Sequence, residues 1–298
     1  MINMKRRNFL HTSVLAASAA AVSFSELSCK GAQKNPSPSA NTNPLKIGIM
    51  TYTLAQKWDI ETIIKNLSQT GYQSVELRTT HAHGVEVGLS PSERAEVKKR
   101  FKESPLESIS LASGFEYHSP DPAELKKNIE GTKEYILLAK DVGATGIRVF
   151  GNSLPDEVPQ EKSIEQIGKS LAEVGEFGYN NGVEVRICVH GNKTDRVSVI
   201  RKIIDASRNP HVYVNWNCNP ADTEEGGLEN NFNLVKDRIR GVHMHELWEA
   251  EYPYRKFLKL LAESGYKGYC NAEIDENEDP IRLMRYYRAL FLAYQDAL

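Results

Sequence analysis

The chain has 298 residues, 40% of them hydrophobic and 26% charged, and a net charge of −2 at pH 7. That is an ordinary balance for a globular protein, with enough chain to bury a large core. It excludes the strongly basic field of a nucleic-acid-binding domain, and the four cysteines have no zinc-ribbon spacing.

Arg6 and Arg7 precede Asn8, Phe9 and Leu10, and a small-residue apolar run follows from Val14 to Phe24. Paired arginines, a short apolar stretch and small residues predict an export signal over residues 1–28. The stretch falls short of the roughly 20 apolar residues that a spanning helix needs. It resembles a twin-arginine signal, the alternative being an ordinary export signal. Cys29 follows Leu27 and Ser28, similar to a lipoprotein cleavage box, with Glu26 where that box prefers an apolar residue. The polar segment 29–44, rich in Pro, Ser and Asn, is expected to be a disordered tether. The expected location is therefore the periplasm, free or lipid-anchored, with that anchor as the one membrane contact. With Cys29 lipidated, Cys188, Cys218 and Cys270 cannot all pair among themselves.

From Leu45 onward, short apolar runs alternate with amphipathic stretches. The predicted elements are a strand over 46–52, a helix over 60–70, a strand over 74–77 and a helix over 91–103. A strand over 107–112, a helix over 122–142, a strand over 146–150 and a helix over 163–179 follow. Then come a strand over 183–189, a helix over 197–206, a strand over 212–216 and a helix over 228–235. The last four are a strand over 239–243, a helix over 255–264, a strand over 269–274 and a helix over 281–294. Gly71, Gly143, Gly182 and Gly265 lie between a helix and the next strand, where a left-handed residue ends a helix. Asp121 before Pro122 reads as a helix N-cap. Eight strand–helix units in succession predict an α/β fold, a closed parallel eight-stranded (β/α)8 TIM barrel, as one domain over 45–298.

The site of such a barrel lies at the C-terminal ends of its strands, and residues two apart on a strand share a face. Strand five ends with Cys188 and His190 in phase, strand six with Asn215, Asn217 and Asn219, and strand seven with His243 and His245. Strand eight brings Glu273. Four successive strands thus send polar, ligand-capable side chains toward one place.

This pattern, over roughly Leu45 to the C-terminus, resembles the xylose-isomerase-like sugar isomerase/epimerase superfamily. The resemblance implies one divalent metal held from strands five to eight, with carboxylates that shuttle protons next to a carbonyl. Carried over by position, His190 matches the strand-five His, His243 the strand-seven ligand, and Glu273 the strand-eight ligand and base. Cys188 stands where a Glu is expected and Asn217 where an Asp is expected. With one carboxylate left, the set Cys188, Asn217, His243 and Glu273 points to Zn2+ or Mn2+ in preference to Mg2+. A looser set of His190, His243, His245 and Glu273 is the alternative, and a polar site without metal is another. The chemistry left is one-base: proton abstraction beside a carbonyl, giving isomerisation, epimerisation or elimination from a keto-sugar.

Glu76, on strand two, matches a Glu that lines the sugar site in this superfamily, so the catalytic candidates are Glu273, His190 and Glu76. Substrate-binding candidates are His81 and His83 after strand two, Arg148 on strand four, His245, Trp216 and Trp248. Arg148 either holds a substrate oxygen or pairs with Glu76 inside the barrel. No nucleotide fingerprint or phosphate loop is present in the sequence, and an exported protein meets little sugar phosphate, so a non-phosphorylated carbohydrate is the expected partner. The competing reading is a non-catalytic carbohydrate-binding barrel with a degenerate metal site. An endonuclease-like relative is disfavoured by the export signal and the shortage of carboxylates.

Overall fold

The computed structural model describes residues 44–296. The export signal, Cys29 and nearly all of the tether lie outside the described residues. The barrel closes with strands in sequence order, β1-β2-β3-β4-β5-β6-β7-β8, each parallel to its neighbours. The units are β1 (Lys46–Met50), α1 (Ile60–Thr70), β2 (Ser74–Arg78), α2 (Pro91–Lys102), β3 (Ser108–Glu116) and α3 (Pro122–Val142). They continue as β4 (Gly146–Ser153), α4 (Gln160–Asn180), β5 (Glu184–Asn192), α5 (Val197–Ser207) and β6 (Val212–Asn217). The last are α6 (Leu228–Val235), β7 (Ile239–Met244), α7 (Tyr254–Glu263), β8 (Tyr269–Ala272) and α8 (Pro280–Asp296). Among the described residues, no helix is long and apolar enough to cross a membrane.

Local sequence sets the helix ends. Asp59 and Asp121 accept backbone N–H bonds at the starts of α1 and α3, and Ser90 and Glu93 form a reciprocal capping box on α2. The four glycines expected after helices all adopt positive φ.

Aliphatic residues such as Val75, Leu77, Ile187, Val189, Val214 and Val242 are buried between the strands and the helices. The alternating set differs from the branched aliphatic layers that usually fill a barrel. Ser74, Glu76, Ser110, Arg148, Arg186, Asn215, Asn217, His243 and Asn271 are polar and nearly inaccessible. Gly48 makes room for this network. A Cβ there would sit 2.0 Å from Ser74 Oγ and 2.1 Å from Asn271 Oδ1.

Three strands run three or more residues past their predicted ends: β3 reaches Glu116, β4 Ser153 and β5 Asn192. Their apolar runs stop earlier, but register shifts between β3 and β4 and between β4 and β5 let the ladder resume in polar sequence. Gly191 permits the second shift. Its φ is +103°, and a Cβ would lie 2.0 Å from the Asn152 carbonyl oxygen. Strand β8 is shorter than predicted because the Ile274 carbonyl turns to the N–H groups of Thr53 and Leu54 after β1.

Candidate active site

A cavity of about 220 Å3 opens at the C-terminal end of the barrel. Its wall is built from strand ends and the residues just beyond them: Met50 and Tyr52 from β1, Arg78 from β2, Arg148 and Phe150 from β4, Cys188 and His190 from β5, Asn217 from β6, His243 from β7 and Glu273 after β8. Of the eight residues expected in shared phase, Cys188, His190, Asn217, His243 and Glu273 line it, while Asn215, Asn219 and His245 do not. Register explains this. Asn217 pairs with His243, and His243 with Asn271, so equal parity brings these side chains to the same side of the wall.

Beneath the cavity, Glu76 is 1% exposed. Its Oε2 accepts hydrogen bonds from Ser110 Oγ (3.1 Å) and Asn271 Nδ2 (3.3 Å), and its Oε1 accepts from His243 Nε2 (2.9 Å). On the other side of the ring, His243 Nδ1 lies 3.3 Å from Glu273 Oε2. Burial alone would strip the charge from this imidazole, but the charge of Glu76, then hydrogen bonding with Cys188 and with both carboxylates, outweigh it and raise its pKa. Glu273 moves the opposite way: burial pushes it up, yet the His243 hydrogen bond and charge bring it down to about 2. Glu76 is likewise held below its usual range against its own burial, mainly by the charge of His243. The result is an imidazolium clamped between two carboxylates, an arrangement that keeps buried charge paired. Glu76 does not line the cavity; it anchors His243.

Arg148, 3% exposed, lies on the opposite wall. Its Nη1 donates to the Ser113 carbonyl (2.8 Å) and its guanidinium carbon sits 4.0 Å from the centre of the Phe150 ring. These contacts fix it, and it forms no ion pair with Glu76. Its Nε is buried with no hydrogen-bond partner, and so is Asn217 Oδ1. One buried donor and one buried acceptor left unsatisfied on two residues of one small cavity wall are uncommon in a folded interior.

Four other expected residues lie in four different places. His190 lies at the mouth, its Nδ1 3.3 Å from Asn152 Oδ1, and burial and then the charge of Arg148 hold its pKa below the usual value. His81 sits behind Tyr52, accepting from the Thr51 hydroxyl (3.0 Å). Burial, then His83 and Arg78, lower its pKa to about 4. His245 lies outside this cavity and faces a second one of about 300 Å3 with Glu246, Glu249, Glu251 and Asp275, which meets the first at Glu273. Trp248 is 71% exposed on the rim.

Two substrate-binding expectations are corrected. His83 has both ring nitrogens committed, to the Arg78 carbonyl (2.8 Å) and the Val85 N–H (3.0 Å), so it braces the loop after β2. Trp216 is 0% exposed and points into the helical layer. It stacks on Phe257 at 5.3 Å, and its Nε1 donates to Tyr252 Oη (3.0 Å). Conversely, Arg78 lines the cavity without having been singled out as a binder. The two-residue phase from Glu76 was the signal that would have found it.

A family profile described as xylose isomerase-like TIM barrel matches residues 64–290. The chain belongs to this family. No curated protein matches it. Among solved structures, an L-ribulose 3-epimerase superposes with a TM-score of 0.72 at 16% identity, covering 85% of this chain and 95% of the other. The 3-keto-D-glucoside 4-epimerase YcjR from E. coli gives 0.70 at 16% identity, covering 84% and 99%. A probable 3-DHS dehydratase from Bacillus anthracis gives 0.66 at 15% identity, covering 83% and 99%. At such identities the likeness is one of fold.

The divalent metal expected in this xylose isomerase-like barrel can be tested against the donors. Cys188, Asn217, His243 and Glu273 do converge on the cavity. Of the lining residues only Glu273 is a carboxylate, however, whereas Arg78 and Arg148 both carry positive charge. Both ring nitrogens of His243 already face carboxylate oxygens. Among the described residues, no three His, Cys, Asp or Glu side chains are grouped as metal ligands. A hard cation needs several carboxylates, and even a thiolate at Cys188 would not balance a dication beside two guanidinium groups. The residues present do not fit a divalent metal.

Proposed function

We propose that this barrel acts on a non-phosphorylated carbohydrate bearing a carbonyl, moving a proton at the adjacent carbon to isomerise or epimerise the sugar or to eliminate from it. The observation that carries this reading is Glu273, held ionised and fixed through Oε2 by His243, in a polar cavity whose wall also holds Arg148, Asn217 and His190. That combination suits a polyhydroxy ligand with one acidic C–H. The volume, about 220 Å3, is below the roughly 300–1,000 Å3 of pockets for drug-sized molecules, which supports a single sugar unit. Glu273 takes the proton, the Asn217 side-chain amide helps to seat the substrate, and His190 at the mouth is the second proton-transfer group. A base with a pKa near 2 is weak, so the oxyanion formed opposite it must be strongly stabilised. The Arg6–Arg7 segment and Cys29 support action outside the cytoplasm, either free or lipid-anchored.

The test is solvent-deuterium wash-in on ketoses and 3-keto-glycosides, followed by NMR. Exchange at the carbon next to the carbonyl, lost in Glu273→Gln, is the expected result. A second reading, a carbohydrate-binding barrel without catalysis, draws on the loss of carboxylates at Cys188 and Asn217. Saturable sugar binding with no exchange for any sugar would favour it.

A further inference from the structure

The two departures from the expected ligand set, Cys188 and Asn217, remove two negative charges, and the absent dication would have carried two positive ones. We propose that this site has exchanged a divalent metal for a protein cation, and that Arg148 takes its place opposite Glu273, receiving the substrate oxygen as negative charge develops on it.

Four observations carry this. Arg148 is buried and immobilised by Ser113 and Phe150. Its Nε has no partner. It shares the cavity with Glu273 across the barrel mouth. Arg78, the other cation on the wall, is partly exposed and spends its Nη1 on the Thr79 carbonyl (2.9 Å), so it is less suited to the task. A guanidinium is never deprotonated at working pH and needs no reorganisation to meet a new anion.

The inference rests on the proton-abstraction reading for its chemical step. Glu273 takes the proton, the C–H electron pair becomes the new C=C bond, and the carbonyl π pair moves onto oxygen, which is met by the Arg148 guanidinium. Return of a proton to either carbon, or loss of a leaving group, completes the turnover with no net oxidation.

Metal binding and exchange test it separately. Elemental analysis and calorimetric titration of the full chain with Zn2+ and Mn2+ should find no one-to-one site. The double variant Cys188→Glu/Asn217→Asp should gain one, and the single variant Asn217→Asp should bind measurably tighter than wild type if the double variant does not fold. Deuterium exchange by the wild type should be unchanged by EDTA. In Arg148→Ala it should slow by about 100-fold or more, the effect of losing one oxyanion donor, with partial rescue by added guanidinium and none by metal ions. A stoichiometric metal in the wild type that is lost in His243→Ala, exchange abolished by EDTA, or an Arg148→Ala variant as fast as wild type would each overturn the proposal. Absence of exchange in the wild type for every sugar would instead sink the proposed reaction, and the metal titrations would still decide whether the site is metal-free.

Discussion

The cavity at the N-terminal end of the barrel measures about 540 Å3, and the one at the C-terminal end about 220 Å3. Both are polar, and both hold a buried arginine. In the larger, Arg186 is satisfied by Glu184 through Nε (3.0 Å) and Nη2 (2.6 Å), and Glu184 is about one-third exposed. In the smaller, Arg148 keeps an unpartnered Nε, and one imidazole is shared by two carboxylates, one on each ring nitrogen. Size therefore points to one end and unfinished polar chemistry to the other. The second is the better guide to function, because an unsatisfied buried group is costly to keep.

The comparison is broken most directly by exchange kinetics. Glu273→Gln is expected to slow deuterium exchange by about 1,000-fold, within the range for losing a general base, while Arg186→Met at the other end leaves the rate within about twofold. Equal losses in both variants, read by NMR, would erase the distinction.

Stability sharpens the contrast next. His243→Ala leaves Glu76 and Glu273 buried without their cation and is expected to cost about 3–5 kcal/mol in urea unfolding. Arg186→Met, next to the partly solvated Glu184, should cost about 1 kcal/mol or less.

A third carboxylate tells what Glu76 would be like without His243. Asp222 lies behind β6, accepting from Tyr252 Oη (2.8 Å) with no cation bonded to it, and burial raises its pKa to about 7. The folded state thus holds this proton more tightly than the unfolded chain, whose Asp titrates near 3.8. Stability from this group is greatest at low pH, falls as pH rises from about 4 to about 7, and stays low above that, by up to roughly 4 kcal/mol. Asp222→Asn should flatten that slope in unfolding measured at pH 5 and pH 8.

The smallest effect concerns the rim. Trp248→Ala should leave unfolding unchanged and weaken sugar binding by less than about tenfold, measured by calorimetry, since an exposed ring offers one stacking face.

Much of this was legible in the chain. The helices over 60–70, 122–142 and 228–235 begin and end where periodicity and caps put them. Five of the in-phase residues at the ends of β5 to β8 do face one cavity, because a two-residue period survives any detail of packing, whereas Asn219 and His245, farther along, face its neighbour. Depth was not legible. Parity turns Glu76 inward, but the barrel's register sets its height and leaves it under the cavity floor, where it grips His243. The same parity, applied between Asn215 and Asn217, sends Trp216 outward; its position near a strand end suggested otherwise. The extensions of β3 to β5 depend on register shifts between strands far apart in sequence, which no local pattern records.

The bare backbone at Gly48 carries a lesson for anyone rebuilding this protein. Any side chain there would strike the two groups, Ser74 and Asn271, that begin the hydrogen-bonded column beneath His243. Position 48 therefore admits no larger residue unless Ser74 and Asn271 change with it. New specificities are better grafted onto the exposed rim near Trp248, away from Glu273 and Ile274.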